Sequence, residues 1–269
     1  MSDGLFNVNQ SIVLVTGASG QLGAEYARCF LSRGSKVIGF DLQSSPRSLQ
    51  LTHDYKDRFH FVTGDVTDKE NLIELLNESK ARFGVPTVLI NNAALDSPPA
   101  APREETGPFE EYPEASWNRV LDVNLKGVFL CCQIFGGAMA LEKKGSIINI
   151  ASIYGLVSPD QSIYDYRKKH GEVFNKPVAY SASKSGIFNL TRYVAVYWAK
   201  QNVRVNSLTI AGVFNDQDED FLDAYCGRIP IGRMASSDEY NGAVLFLASD
   251  ASRYMTGQNL IIDGGWTAI

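Results

Sequence analysis

Short apolar runs alternate along this chain with longer stretches in which apolar residues recur every three or four positions. The runs are Ser11–Thr16, Lys36–Asp41, Phe59–Thr63, Thr87–Asn91, Ser146–Ala151, Arg204–Leu208 and Asn259–Asp263. Short runs of this kind read as strands, and their alternation with helical stretches predicts a parallel sheet covered on both faces. Between them, Gln21–Arg33, Lys69–Arg82, Trp117–Met139, Val178–Lys200 and Asp238–Ala248 carry the helical spacing. Ser236 followed by Glu239 forms a capping-box pattern before the last of these. The pattern predicts one α/β domain over residues 1–269, a doubly wound parallel sheet of about seven strands with helices on both faces.

Two stretches break the rhythm. Five prolines, Pro98, Pro99, Pro102, Pro108 and Pro113, fall between Asp96 and Glu114, which therefore reads as a surface loop outside the sheet. Val157–Pro177 is rich in Tyr, Lys and Asp without a clear period, and reads as a mobile loop able to act as a lid over substrate.

Composition narrows the functions open to such a fold. The 269 residues, 45% of them apolar, suffice for a large core in one domain. With 25 basic and 30 acidic residues the net charge is −5, and no basic run is long enough to follow a phosphate backbone, so nucleic acid is not an expected partner. The N-terminus lacks the charged and apolar regions of a signal peptide, and no uninterrupted apolar stretch of membrane-spanning length is read; a soluble, cytoplasmic protein without a membrane partner is expected. Cys29, Cys131, Cys132 and Cys226 include no CxxC and read as buried thiols. His53, His60 and His170 are scattered, so no metal site is expected.

The first strand runs directly into Thr16-Gly17-Ala18-Ser19-Gly20-Gln21-Leu22-Gly23 and then a helix. Glycines there let the backbone turn tightly and approach a pyrophosphate, whose charge meets free amides at the helix N-terminus. Gly17, Ser19, Gly20, Gln21, Leu22 and Gly23 are thus candidate cofactor-binding residues of a Rossmann-type domain. Asp41 ends the second strand, where a carboxylate accepts hydrogen bonds from ribose hydroxyls and repels a 2′-phosphate. No Lys or Arg lies in the glycine loop, so the expected cofactor is NAD rather than NADP.

Taken in order, the glycine loop, Asp65-Val66, Asn91-Asn92-Ala93-Ala94, Asn124, Ser152, Tyr180-Ser-Ala-Ser-Lys184, Val203-Arg-Val-Asn206 and Asp263-Gly-Gly265 resemble the short-chain dehydrogenase/reductase family over essentially the whole chain. The resemblance implies that Asp65 and Val66 hold the adenine and that Asn92, Ala93 and Ala94 line the dinucleotide, with Val213 completing the cofactor contacts. It implies that Asn124 holds a proton-relay water beside a catalytic lysine, and that the protein is a homo-oligomer, a dimer or tetramer. There are departures. Gln21 replaces the middle glycine of TGxxxGxG, Ala94 the last glycine of NNAG, and Ala211 the proline of the PG pair after the sixth strand. The resulting GxxGxxG spacing occurs in longer, sugar-nucleotide members.

Redox chemistry at a carbonyl needs a proton donor or acceptor at the substrate oxygen while hydride moves to or from the nicotinamide. A tyrosine can serve, and a lysine at i+4 lies on the same helical face, where its charge favours phenolate. Tyr180 and Lys184 have that spacing, and Ser152 beyond the fifth strand would hydrogen-bond the substrate oxygen. Tyr164 and Lys168 also form YxxxK, and Tyr164 follows Ser152 by 12 residues against 28 for Tyr180. Tyr180 is preferred because small residues at Ser181, Ala182 and Ser183 admit a cofactor and a long apolar-faced helix follows.

The expected function is an NAD-dependent oxidoreductase acting on a secondary alcohol or ketone of a small-molecule substrate, a sugar, sugar acid or polyol. A redox-neutral sugar epimerase or dehydratase and a non-catalytic NAD-binding protein are the alternatives. Asp96, Asn175, Asn215, Asp216 and Gln217 should supply the polar rim beyond the nicotinamide.

Overall fold

The computed structural model describes residues 4–96, 103–168 and 171–269. Pro98, Pro99, Pro102 and His170 lie outside these described residues. Seven parallel strands form one sheet in the order β3-β2-β1-β4-β5-β6-β7. They are β1 (Ile12–Thr16), β2 (Lys36–Asp41), β3 (Phe59–Thr63), β4 (Val88–Asn91), β5 (Gly145–Ser152), β6 (Val203–Ile210) and β7 (Asn259–Ile262). Order reverses between β1 and β4, which leaves a crevice at their carboxyl ends where ligands of such sheets bind.

The principal helices are α1 (Gln21–Leu31), α2 (Pro46–Asp54), α3 (Lys69–Arg82), α4 (Glu114–Leu141), α5 (Val178–Trp198), α6 (Glu219–Cys226) and α7 (Asn241–Ala248). Successive residues of a strand face opposite sides of the sheet. Accordingly Val13 and Val15 enter one core with Tyr26, Phe30 and Val244, while Leu14 enters the other with Leu89, Phe135 and Ile187. Glu239 accepts the Ser236 amide at 2.8 Å, realising the capping pattern ahead of α7.

Several expectations need correction. The helix read as Trp117–Met139 runs from Glu114 to Leu141 and includes π-helical stretches at Asp122–Gly127 and Cys132–Gly136. By length and composition it could cross a membrane, although Asp122, Asn124, Lys126 and Gln133 interrupt its apolar residues. Its Asn124, Cys131, Cys132, Phe135 and Met139 are buried, as in a core helix. The proline-rich segment is more than a surface loop: Arg103–Thr106 and Phe109–Glu111 form helical turns, and Thr106 is buried.

The 157–177 segment, expected as an irregular loop, contains helical turns at Gln161–Tyr164 and Asp165–Lys168. Its Ile163, Tyr164 and Phe174 form a third apolar cluster with Phe221, Tyr225 and Met234. Short helical turns each change the period, so inward-facing residues leave no regular pattern in the sequence. Cys29, Cys131 and Cys132 are buried as expected, and Cys226 is partly so.

Candidate active site

The end of β1 forms the first wall of a cleft of about 730 Å³. Gly17 has φ +68°, and a Cβ there would meet Ala93 Cα at 2.9 Å. A Cβ on Gly23 would lie 2.0 Å from the Gly17 carbonyl oxygen, so α1 can start against the loop only if that side chain is absent. Gly20 caps α1 without any side-chain hydrogen bond, which leaves first-turn amides for an anion. Gly17, Gly20, Gln21, Leu22, Gly23, Asp41, Asp65, Val66, Asn92, Ala93, Ala94 and Val213 all line this one cleft. The backbone cradle and uncapped helix suit a dinucleotide.

Ser19 is the exception. It stands behind the wall, its amide donating to Asp41 Oδ2 at 2.9 Å, while the Leu42 amide donates to Oδ1 at 2.8 Å. The carboxylate of Asp41 is thereby fixed at the rim. Asp65 accepts the Thr67 amide at 2.8 Å, and the Asn92 side chain donates to the Thr16 carbonyl at 3.0 Å. The Ser19–Asp41 and Asn92–Thr16 bonds tie the carboxyl end of β1 to those of β2 and β4.

In a cavity that adjoins the cleft, β5 delivers Ser152 and α5 delivers Tyr180. The Ser152 hydroxyl is near enough to the Tyr180 phenol to favour its ionised form. Lys184 lies one turn further, its Nζ 5.8 Å from the Tyr180 ring centre and donating to the Ile150 carbonyl at 2.9 Å. Burial pulls the Lys184 ammonium down to about 8. Burial, and then the Asp96 carboxylate, push the Tyr180 phenol up, against the influence of Ser152. The lowered phenol pKa expected from the i+4 lysine is therefore not reached in the protein alone, because removal from water outweighs the distant ammonium.

Asn124 is fully buried in the first π-helical stretch of α4. Its side chain accepts the Leu95 amide at 2.7 Å and donates to the Leu95 carbonyl at 2.9 Å and Ser183 Oγ at 3.0 Å. The amide is thus engaged in clamping the segment after β4 to α5. Tyr164, the competing tyrosine, is also buried, with its ring centre 4.5 Å from that of Phe174 and 6.0 Å from that of Phe221.

The model of the short chain dehydrogenase family matches residues 11–220. The chain belongs to that family. A cis-4-hydroxycyclohexanecarboxylate dehydrogenase of Sinomonas cyclohexanicum is 33% identical, over 97% of this chain and 98% of the relative. An NAD-dependent glycerol dehydrogenase of Listeria innocua is 31% identical, over 97% of this chain and 96% of the relative. Among solved structures, a short chain dehydrogenase from Leptospira borgpetersenii with bound NAD+ has a TM-score of 0.86 at 34% identity, covering 99% of this chain and 96% of that one. A gluconate 5-dehydrogenase from Burkholderia cenocepacia in complex with NADP and tartrate has a TM-score of 0.84 at 26% identity, covering 99% of this chain and 98% of that one.

Within this short-chain dehydrogenase, a second cavity of about 400 Å³ opens beyond the cofactor cleft. Gln21, Leu22 and Val213 line both. Gln21, which stands where the family pattern has glycine, donates to the Phe214 carbonyl at 2.8 Å and so spans from α1 to the segment after β6. Ser152 and Tyr180 lie in the second cavity together with Tyr154, Tyr164, Phe174, Phe221 and Tyr225.

Of the expected polar rim, Asp96, Asn215 and Gln217 line this cavity and Asp216 does not. Asn175 points elsewhere, donating to the Gly107 carbonyl at 3.1 Å. Sequence reasoning missed Lys176, whose Nζ lies 5.3 Å from the Tyr180 ring centre and pairs with Asp96. A signal was present, since Lys176 precedes Tyr180 by the same four residues by which Lys184 follows it.

Proposed function

We propose that this short-chain dehydrogenase oxidises a secondary alcohol of a hydroxylated small molecule, a polyol, sugar or sugar acid, with NAD, and reduces the corresponding ketone in reverse. The observation that carries the reading is the meeting of Ser152, Tyr180 and Lys184 where a dinucleotide-shaped cleft opens into an aromatic cavity. NAD or its reduced form, when bound along the glycine loop, supplies the hydride acceptor or donor. Ser152 holds the substrate oxygen, and Tyr180 exchanges the proton with it. Because burial keeps the phenol protonated near neutrality, Tyr180 starts as a proton donor to a ketone, and its use as a base grows with pH. Lys184, held against the Ile150 carbonyl, places a cation behind the phenol ring.

Asp41 supports the choice of NAD. Both of its oxygens are oriented by backbone amides, and among the described residues lining the cleft the one basic side chain is Arg119, which is paired with Glu105. The glycerol dehydrogenase relative is NAD-dependent by name, whereas the gluconate 5-dehydrogenase structure holds NADP. An exposed apolar face on α4 and α5, with Phe129, Leu141, Tyr193, Val196 and Tyr197, supports assembly as a dimer or tetramer of one-domain subunits. A cytoplasmic location follows the same reading.

The test is to supply NAD or NADP with a panel of polyols, sugars and sugar acids and follow reduced cofactor. NADH formation with a secondary alcohol supports the proposal. Conversion of a sugar without net NADH would replace it with an epimerase or dehydratase, and NAD binding without any turnover would replace it with a cofactor-binding protein.

A further inference from the structure

The second cavity has a charged pair in a wall of aromatic, aliphatic and neutral polar residues. Asp96 comes from the segment after β4 and Lys176 from the turn before α5, and the two form an ion pair beside Tyr180. They are unequally placed. The Lys176 side chain is 7% exposed and that of Asp96 is 50% exposed, so the carboxylate is the member a substrate can reach.

The lysine is held from behind. Gln161 accepts the Lys176 amide at 2.7 Å and donates to its carbonyl at 3.2 Å, which fixes the backbone from which the ammonium projects. Asp96 is close enough to the proton-transfer group for its charge to act on both Tyr180 and Lys184.

We propose that Asp96 is the specificity-determining acceptor for a substrate hydroxyl neighbouring the carbon that reacts, with Lys176 as the residue that positions it. The inference rests on the alcohol-dehydrogenase reading above and narrows it to neutral, polyhydroxylated substrates. A carboxylate accepts hydrogen bonds from hydroxyls and repels a second carboxylate, while its lysine partner leaves the pair without net charge. A neutral vicinal diol can use that acceptor without disturbing the ion pair. A substrate carboxylate in the same place would have to displace Asp96 from its cation. The surrounding Tyr154, Tyr164, Phe174 and Tyr225 rings give the carbon skeleton an apolar wall, so the acceptor selects among alcohols by their second hydroxyl.

The experiment compares the wild-type protein with Asp96→Asn, Lys176→Met and Lys176→Arg on three probes. These are D-threitol or xylitol as vicinal polyols, cyclohexanol as an alcohol without a neighbouring hydroxyl, and 4-hydroxycyclohexanecarboxylate as a hydroxy acid. Asp96→Asn should lower kcat/KM for the polyols about ten- to a hundred-fold, chiefly through KM, in keeping with loss of one hydrogen bond to a charged group. Compared with wild type on the plateau of each protein's own pH profile, so that the electrostatic effect of Asp96 on Tyr180 is removed from the comparison, cyclohexanol should fall by no more than the polyols' smallest loss, and the hydroxy acid should improve by relief of repulsion. Lys176→Met should raise the polyol KM without improving the hydroxy acid, and Lys176→Arg should restore most of the loss.

A general structural defect would lower all three probes together and overturn the inference. Loss of hydroxy-acid turnover in Lys176→Met, with no polyol loss in Asp96→Asn, would overturn it in favour of a carboxylate site on the lysine. If the wild-type protein turned over no alcohol with either nicotinamide cofactor, the dehydrogenase reading would fall, and this inference with it. Normal polyol oxidation with unchanged preference in Asp96→Asn would sink the inference alone.

Discussion

The two halves of the site are built from different materials. Around the glycine loop the wall is backbone, and space is set by missing side chains, with Gly17 and Gly23 each in contact with main-chain atoms a Cβ would strike. Around Tyr180 much of the wall is aromatic side chain, drawn from segments that meet only in the folded protein, with the Tyr164 ring in contact with both Phe174 and Phe221. Backbone cannot move aside for an added atom, whereas rings can repack at moderate cost. The first half therefore leaves little room for change in its shape. The second can be altered residue by residue, which is where substrate preference can diverge.

The largest effect should follow Gly23→Ala. Its methyl group would sit 2.0 Å from the Gly17 carbonyl oxygen, so α1 must shift or the loop must open. NAD affinity, followed by fluorescence titration, should fall by more than about a hundred-fold, or the melting temperature should drop sharply. Near-normal binding and stability would show that the backbone half is softer than described.

Next comes the proton-transfer pair. Tyr180→Phe should retain NAD binding and lose about two orders of magnitude or more in kcat, as for removal of a positioned acid/base. Tyr164→Phe should change kcat by only a few-fold, because its ring contacts survive. The reverse ranking would move the chemistry to the 157–177 segment.

A smaller effect is expected at Asp41. Asp41→Ser removes the carboxylate at the cleft rim and should shift the NAD/NADP affinity ratio toward NADP by about ten-fold, measured by titrating both cofactors. No shift would mean that this rim does not set the cofactor.

The smallest effect concerns pH. Tyr180 is surrounded by Asp96, Lys176, Lys184, Tyr154 and Tyr225, and burial with Asp96 holds its phenol up. Raising the pKa favours the protonated form. Alcohol oxidation, which needs the phenolate, should thus rise with pH, while ketone reduction should fall over the same interval. Asp96→Asn removes an upward influence, so the oxidation limb should move to lower pH. Since Asp96 also raises the Lys184 ammonium, now near 8, that cation should be lost at lower pH in the same variant. A limb that moves upward would contradict the electrostatic description.

What could be read from the sequence follows the same division of materials. All seven strands are legible: the central ones because burial on both faces leaves continuous apolar runs, and the half-buried edge strands β3 and β7 because they keep short apolar runs of their own. The predicted Lys69–Arg82 helix coincides with α3. In contrast α2 does not stand out, although Ser45 followed by Pro46 at the first helical position marks its start, because it is short and buries only Ser48 and Leu51. That the glycine-loop residues line one cleft was legible, since such a loop acts through contiguous backbone. Asp96 reads from the sequence as a rim residue, but its pairing with Lys176 does not show, because the two are 80 residues apart and a lone lysine reads as a solvated charge.

The π-helical stretches of α4 have a consequence for how this chain can change in length. A π turn accommodates one residue more than the α-helical ladder does, so each stretch is an insertion absorbed inside a continuous helix. Deleting one residue near Asn124 would restore regular hydrogen bonding locally, yet it would rotate one side of α4 against the other by about 100°. Either Asn124 would leave Leu95 and Ser183, or Phe135 and Met139 would turn out of the core. A more regular helix here would be a less functional one, so length variation in this protein should be confined to the segments between strands and helices and stop at the ends of α4.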